Sequence, residues 1–162
     1  MPEGRGDVRR RSHERGSAIV ELALVLPLLA LLVLGTVDLG RVFRLQSRLT
    51  NSAREGGVFA QFRPGSVDAG CDGGQSIVDR VLDEDAGLAT LPGFDIEVLE
   101  KDAATGGVTP YGGCATSSAS PAPGDVIVVR VRASFSPLTP LLSALIGSTV
   151  TLTGRQEVVV QG

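Results

Sequence analysis

Sixteen of the twenty residues from 18 to 37 are aliphatic or alanine, and Glu21 is the only charge among them. Twenty helical residues rise roughly 30 Å, the thickness of a bilayer's hydrocarbon core, so the pattern predicts a transmembrane helix over 17–37. Thirteen of these residues are Leu, Ile or Val. At about −0.3 to −0.6 kcal/mol each they supply on the order of −5 kcal/mol of insertion free energy. Glu21 would cost up to ~3 kcal/mol at the bilayer centre and less near the edge, where it lies. Insertion wins. Pro27 removes the backbone bond to the Ala23 carbonyl and predicts a kink in the span.

Beyond the span, Val42, Leu45, Leu49, Ala53 and Gly56 recur at spacings of three and four, with Arg41, Arg44 and Arg48 on a neighbouring face. That periodicity predicts that the helix leaves the membrane and continues to about residue 60. The Arg stripe reads as a solvated face or one that meets lipid headgroups. Arg63-Pro64-Gly65 ends the helix. Ile77, Val78, Val81 and Leu82 then predict a short amphipathic helix over about 75–88. Its Asp83-Glu84-Asp85 run reads as a solvated helix end, because it lacks the alternating oxygen ligands and Gly of a calcium loop.

Phe94, Ile96 and Val98 alternate with acids as a strand, and residues 126–135 form the clearest strand, with Val129, Val131, Ala133 and Phe135 on one face. Residues 105–123, rich in Gly, Ser, Thr, Ala and Pro, read as an exposed loop. An apolar excursion of one or two helical turns over 137–146 precedes a final strand over 149–160. The expected architecture is α+β, with a long N-terminal transmembrane helix extending into a small antiparallel sheet domain. Its parts are a basic leader (1–16), the span (17–37), the helix extension (38–62) and an extracytoplasmic α+β domain (63–162).

Charge sharpens this division. Residues 1–54 sum to +4 and residues 55–162 to −7, within a net charge of −3 over 162 residues. Five Arg precede the span and four follow it, so the count of positive residues leaves orientation open. The short N-terminal tail and the two Cys on the long part favour a cytoplasmic N-terminus and an exported head. Residues 22–34 would also serve as the core of a secretory signal cut after Gly35, although apolar and helical character persists past that point.

The chemistry available is narrow. One His, no Trp and two Cys leave little for His-dependent catalysis or His/Cys zinc sites, and the acidic balance argues against nucleic acid as a partner. No catalytic residue, metal site or cofactor is expected. Asp95, Glu97 and Glu100 lack the base and nucleophile of a hydrolase and read as a solvent-facing strand edge. Cys71 and Cys114 have no C-x-x-C spacing and no adjacent base, so they are expected to form a structural disulfide. Closing a loop of about 43 residues is worth up to ~4 kcal/mol in the chain-entropy account.

One motif remains. Arg15-Gly16-Ser17-Ala18-Ile19-Val20-Glu21 sets a Gly at the membrane face, then four small or apolar residues, then Glu inside the apolar helix. It resembles the processing signal of type IV prepilins, in which a membrane peptidase cuts after Gly and leaves Glu at the fifth mature position. Gly offers no side chain to obstruct such a protease. A freed amine on Ser17 would pair with Glu21 of a neighbouring subunit, giving an otherwise costly charge a use in assembly.

The longer run RGSAIVELALVLPLLALLVLGTVDLGRVF resembles the N-terminal signature of the TadE-like family, pilin-like proteins of tight-adherence (Flp) pilus systems. The later run VRASFSPLTPLLSALIGSTVTLTGRQEVVV is similar to that family's closing strand, proline-containing excursion and final strand. The resemblance implies a pilin-like, membrane-anchored protein that assists pilus assembly, not an enzyme. Its implied partners are membrane lipid, other pilin-like subunits, the pilus assembly machinery and a prepilin peptidase. Gly16 and Ser17 would be the processing site and Glu21 the assembly residue. Leu22 stands where major Flp pilins usually place Tyr, and the head is far larger than theirs, which argues against the principal filament subunit. The competing reading is a membrane-tethered extracytoplasmic binding module, unrelated to pili, that presents the 105–123 loop.

Overall fold

The computed structural model describes residues 7–101, 105–114 and 121–161, without the side chains of 7–16, 141, 145 and 146. The start of the leader (1–6) and the middle of the expected loop (115–120) lie outside the described residues.

A single helix, α1 (Asp7–Phe62), runs for 56 residues, roughly 84 Å at 1.5 Å per residue, and contains Pro27. It joins the expected span and its extension without interruption and ends two residues later than the periodicity suggested. Arg63 N–H still donates to the Phe59 carbonyl at 3.0 Å. Pro64 and Gly65 then form the turn.

The head assembles on the second half of α1. After a short 3₁₀ turn at Cys71–Gly73 comes α2 (Ile77–Glu84). Ser76 starts α2 with a capping box, accepting from Asp79 N–H at 2.9 Å while the Asp79 carboxylate accepts from Ser76 N–H at 3.1 Å. The sequence periodicity carried this helix to about 88, but it stops at Glu84. Asp85 leaves helical geometry and caps a separate 3₁₀ helix, Ala86–Thr90, by accepting from Gly87 N–H.

Four strands follow: β1 (Asp95–Lys101), β2 (Val108–Pro110), β3 (Val126–Phe135) and β4 (Val150–Val159), with α3 (Pro140–Ile146) between the last two. The sheet is antiparallel throughout, in the order β2-β1-β3-β4. The extra strand corrects the loop expected over 105–123. Val108 and Thr109 are β-branched, and Pro110, lacking an N–H, is tolerated because β2 is an edge.

Strand alternation sorts the sheet's two faces. Val98 on β1 and Ile127, Val129, Val131, Ala133 and Phe135 on β3 join the buried core. Leu45, Leu49, Ala53 and Ala60 of α1 meet them, with Ile77 and Val81 of α2 and Leu88 completing the layer. Helix and sheet approach closely where side chains are absent. A β-carbon on Gly154 of β4 would collide with the Leu49 carbonyl of α1. On the opposite face, Arg130 pairs with Glu97 at 3.0 Å, and Arg132 bridges Asp95 and Glu97. These acids are therefore cross-strand ion-pair partners on the outer sheet face, where they had been expected as a bare solvent-facing edge.

Gly154→Ala is expected to cost about 1–3 kcal/mol, because the added methyl meets backbone that cannot yield. Gly35→Ala, whose new β-carbon would meet nothing within 4 Å, is expected to be neutral. Thermal unfolding of the detergent-solubilised chain compares the two.

Candidate functional site

The longest exposed apolar surface among the described residues runs along 17–34 of α1, and a polar cluster forms where that helix enters the head. From Ser17 to Leu34 every described side chain is exposed. Leu24 is 74% exposed and Ile19 67%. The most apolar eighteen-residue window has a mean hydropathy of 2.6, and none of it is buried. An exposed apolar surface of this length far exceeds what a water-soluble monomer carries. The chain thus has one N-terminal helix apolar enough to span a membrane. The Thr36 hydroxyl, inside that run, donates to the Leu32 carbonyl at 2.8 Å, so its polar group is satisfied within the helix.

Gly16, Ser17 and Glu21 lie on the same continuous helix. Glu21 is exposed. Ser17 and Glu21 are four residues apart and so share a face. Gly35 and Gly40 also leave the helix surface open, with no atom near the place a β-carbon would occupy.

A second cluster forms where the apolar run stops. Asp38 is the first residue after the span and is only 2% exposed. Its carboxylate accepts from the Leu138 amide at 3.0 Å, the Thr139 amide at 2.9 Å and the Thr139 hydroxyl at 2.6 Å. Arg41, one turn further along α1, donates to the same carboxylate at 3.1 Å and to the Ser136 carbonyl at 3.5 Å. The Arg41 guanidinium also lies over the Phe135 ring, 5.1 Å from its centroid. The Thr139 hydroxyl above all, then the Leu138 amide, lowers the Asp38 pKa to about 2. The carboxylate is thus the ionised centre of a clamp between the helix and the β3–α3 connection.

Arg48 is held in a similar way. It grips Asp85 with two guanidinium nitrogens, one at 2.9 Å, and this bond is the main cause that lowers the Asp85 pKa. The Arg stripe read as a solvated or lipid-facing surface is therefore partly consumed inside the protein, by Asp38 and Asp85. Asp85 is likewise more than a solvated helix end. At the far end of α1, Cys71 and Cys114 are joined as a disulfide with their Cα atoms 5.4 Å apart. Beside it, Ser66 and Cys114 form an isolated antiparallel bridge. Among the described residues no three His, Cys, Asp or Glu side chains converge as a metal's ligand set would require.

Asp38 was not singled out by sequence reasoning. Its signal was a lone acid one residue beyond an uncharged run, but its partners lie about a hundred positions away.

Residues 16–57 match the family model of the TadE-like proteins. Over that segment the chain is similar to TadE-like proteins. The matched segment takes in the motif at Gly16, the apolar run, Asp38 and most of the helix extension, as far as Gly57. No curated protein and no solved structure matches the chain. The TadE-like segment connects the chain in general terms with tight-adherence pilus systems.

The depressed Asp38 pKa sets a pH dependence. A carboxylate whose folded-state pKa lies below its unfolded value of about 3.9 contributes stability above that value and loses it as pH falls through the folded one. The thermal midpoint of the detergent-solubilised protein is expected to drop between about pH 5 and pH 2. Asp38→Asn is expected to lower the midpoint at pH 7 and to flatten that drop. Asp79 and Asp85, whose pKa values are also lowered, retain the remainder of it.

Proposed function

We propose that this protein is a membrane-anchored minor pilin or pseudopilin of a tight-adherence pilus system, assisting assembly of the pilus in the cell envelope and carrying out no catalysis. The observation that carries the reading is an unburied apolar stem that holds the TadE-like segment with Gly16, Ser17 and Glu21 in register. The N-terminus stays in the cytoplasm, one helix crosses the membrane, and the α+β head faces the oxidising side. That placement agrees with a disulfide between Cys71 and Cys114.

In this reading a prepilin peptidase cuts between Gly16 and Ser17. The new Ser17 amine then meets the Glu21 carboxylate of an adjacent pilin-like subunit. A carboxylate inside the membrane is expensive alone and much less so beside an ammonium group. Glu21 therefore favours lateral packing of stems in register over isolated stems. The exposed apolar surface supplies the packing contact, and Gly35 and Gly40 permit close approach of a neighbouring helix. Pilus assembly components and membrane lipid are the partners.

Two measurements test this. N-terminal sequencing of membrane-extracted protein from cells with an active prepilin peptidase is expected to begin at Ser17; an intact Met1 or Pro2 would remove the processing step. Glu21→Ala is expected to leave membrane insertion unchanged while reducing surface pili counted by electron microscopy. Normal piliation in that variant would remove the assembly role.

A further inference from the structure

The connection between β3 and β4 carries an apolar surface that the head does not use. Residues 137–146 read PLTPLLSALI and contain no charge. Leu138 is 64% exposed although its own amide is fixed to buried Asp38. α3 then starts at Pro140, and Leu142 shares an open groove with Gly35, Asp38, Leu39, Val42, Phe135 and Pro137.

The level of this groove along α1 decides its occupant. Gly35 belongs to the apolar run that ends at residue 37, and Asp38 is the first residue past it. A connector held by Asp38 and reaching the level of Gly35 therefore sits at the bilayer boundary and not above it. Its apolar surface is continuous with the exposed stem, where Val37, Leu39 and Phe43 are also exposed. Arg44 lies within two turns of Asp38, where anionic lipid headgroups are found, and Arg41, although paired with Asp38, stays partly exposed at that level.

We propose that residues 136–147 form a second membrane contact, in which Leu138 and Leu142 enter the glycerol and upper acyl region of the leaflet on the head's side and lipid chains fill the groove beside the stem. The inference rests on the reading of the stem as a membrane span. Short apolar elements that lie in the interface gain from buried area and from neighbouring basic residues in this way. With the stem as one attachment and this connector as another, the head is fixed in tilt and rotation relative to the bilayer.

Depth-dependent quenching tests the proposal. Leu138→Cys, Leu29→Cys and Phe62→Cys variants of the full chain, with the native disulfide kept oxidised, are labelled with an environment-sensitive fluorophore. They are reconstituted into phosphatidylcholine–phosphatidylglycerol vesicles containing acyl-brominated lipid. Leu29 reports the mid-span, and Phe62, about 36 Å beyond Asp38 along the helix, reports water. The expected result at position 138 is blue-shifted emission with loss of more than half its intensity, beside strong quenching at 29 and none at 62. Water-like, unquenched emission at 138 with quenching at 29 would overturn the second contact and leave the span standing. Blue-shifted but unquenched emission at 138 would mean that protein covers the surface, which also overturns the proposal. Absence of quenching at both 29 and 138 would overturn the span and the contact together.

Discussion

The buried carboxylate of Asp38 ties together parts of the chain about a hundred residues apart. It lies where the helix passes from its exposed apolar run into the head. A charge removed from water is tolerated only when its oxygens are fully engaged, and here two backbone amides, one hydroxyl and one guanidinium do so. The clamp aligns the end of β3 and the start of α3 with the top of the apolar stem. Arg41 adds a second hold through the Ser136 carbonyl and the Phe135 ring. The head is thereby fixed on the same helix that would enter the membrane, at the level where the surround changes.

One helix thus carries two unlike surfaces. From Ser17 to Leu34 it presents mostly apolar side chains outward on all sides, as a lone helix in lipid would. Its second half is amphipathic in the ordinary sense and packs in the head against both the sheet and α2. The contact with the sheet is close because glycine occupies the crossing point at Gly154. Beyond the end of the helix, the Cys71–Cys114 bond joins the first loop of the head to the segment that follows β2. The last described residue closes the same region, as Gln161 N–H donates to the Gln61 carbonyl at 2.9 Å.

Electrostatics follow the same division of labour. Arg48 and Asp85 join α1 to the α2 region, while Arg130 and Arg132 join β3 to β1 on the outer sheet face. Pairs of this partly exposed kind each contribute little to stability in isolation. Their effect here is to set registry between elements. The excess of acid in the head and of base near the stem is therefore partly compensated across contacts that sequence order does not show.

The sequence by itself determined the elements whose physics is local. The apolar length of residues 18–37 required a span-length helix, and the three–four spacing of Leu45, Leu49 and Ala53 continued it as the core-facing stripe. The alternation at Ile96–Val98 and Val129–Phe135 specified strands. The Gly16, Ser17 and Glu21 pattern was equally local, because its spacing along one continuous helix is written in the sequence. Tertiary structure decided the rest. β2 exists because β1 offers it an edge, the helix after Ser76 stops where Asp85 turns toward Arg48, and Arg41 and Arg48, while still partly exposed, hold partners brought close by folding. Asp38 shows the reason most plainly. A carboxylate's burial, ionisation and role depend on which donors surround it, and those donors arrive from residues 138 and 139 only once the chain has folded.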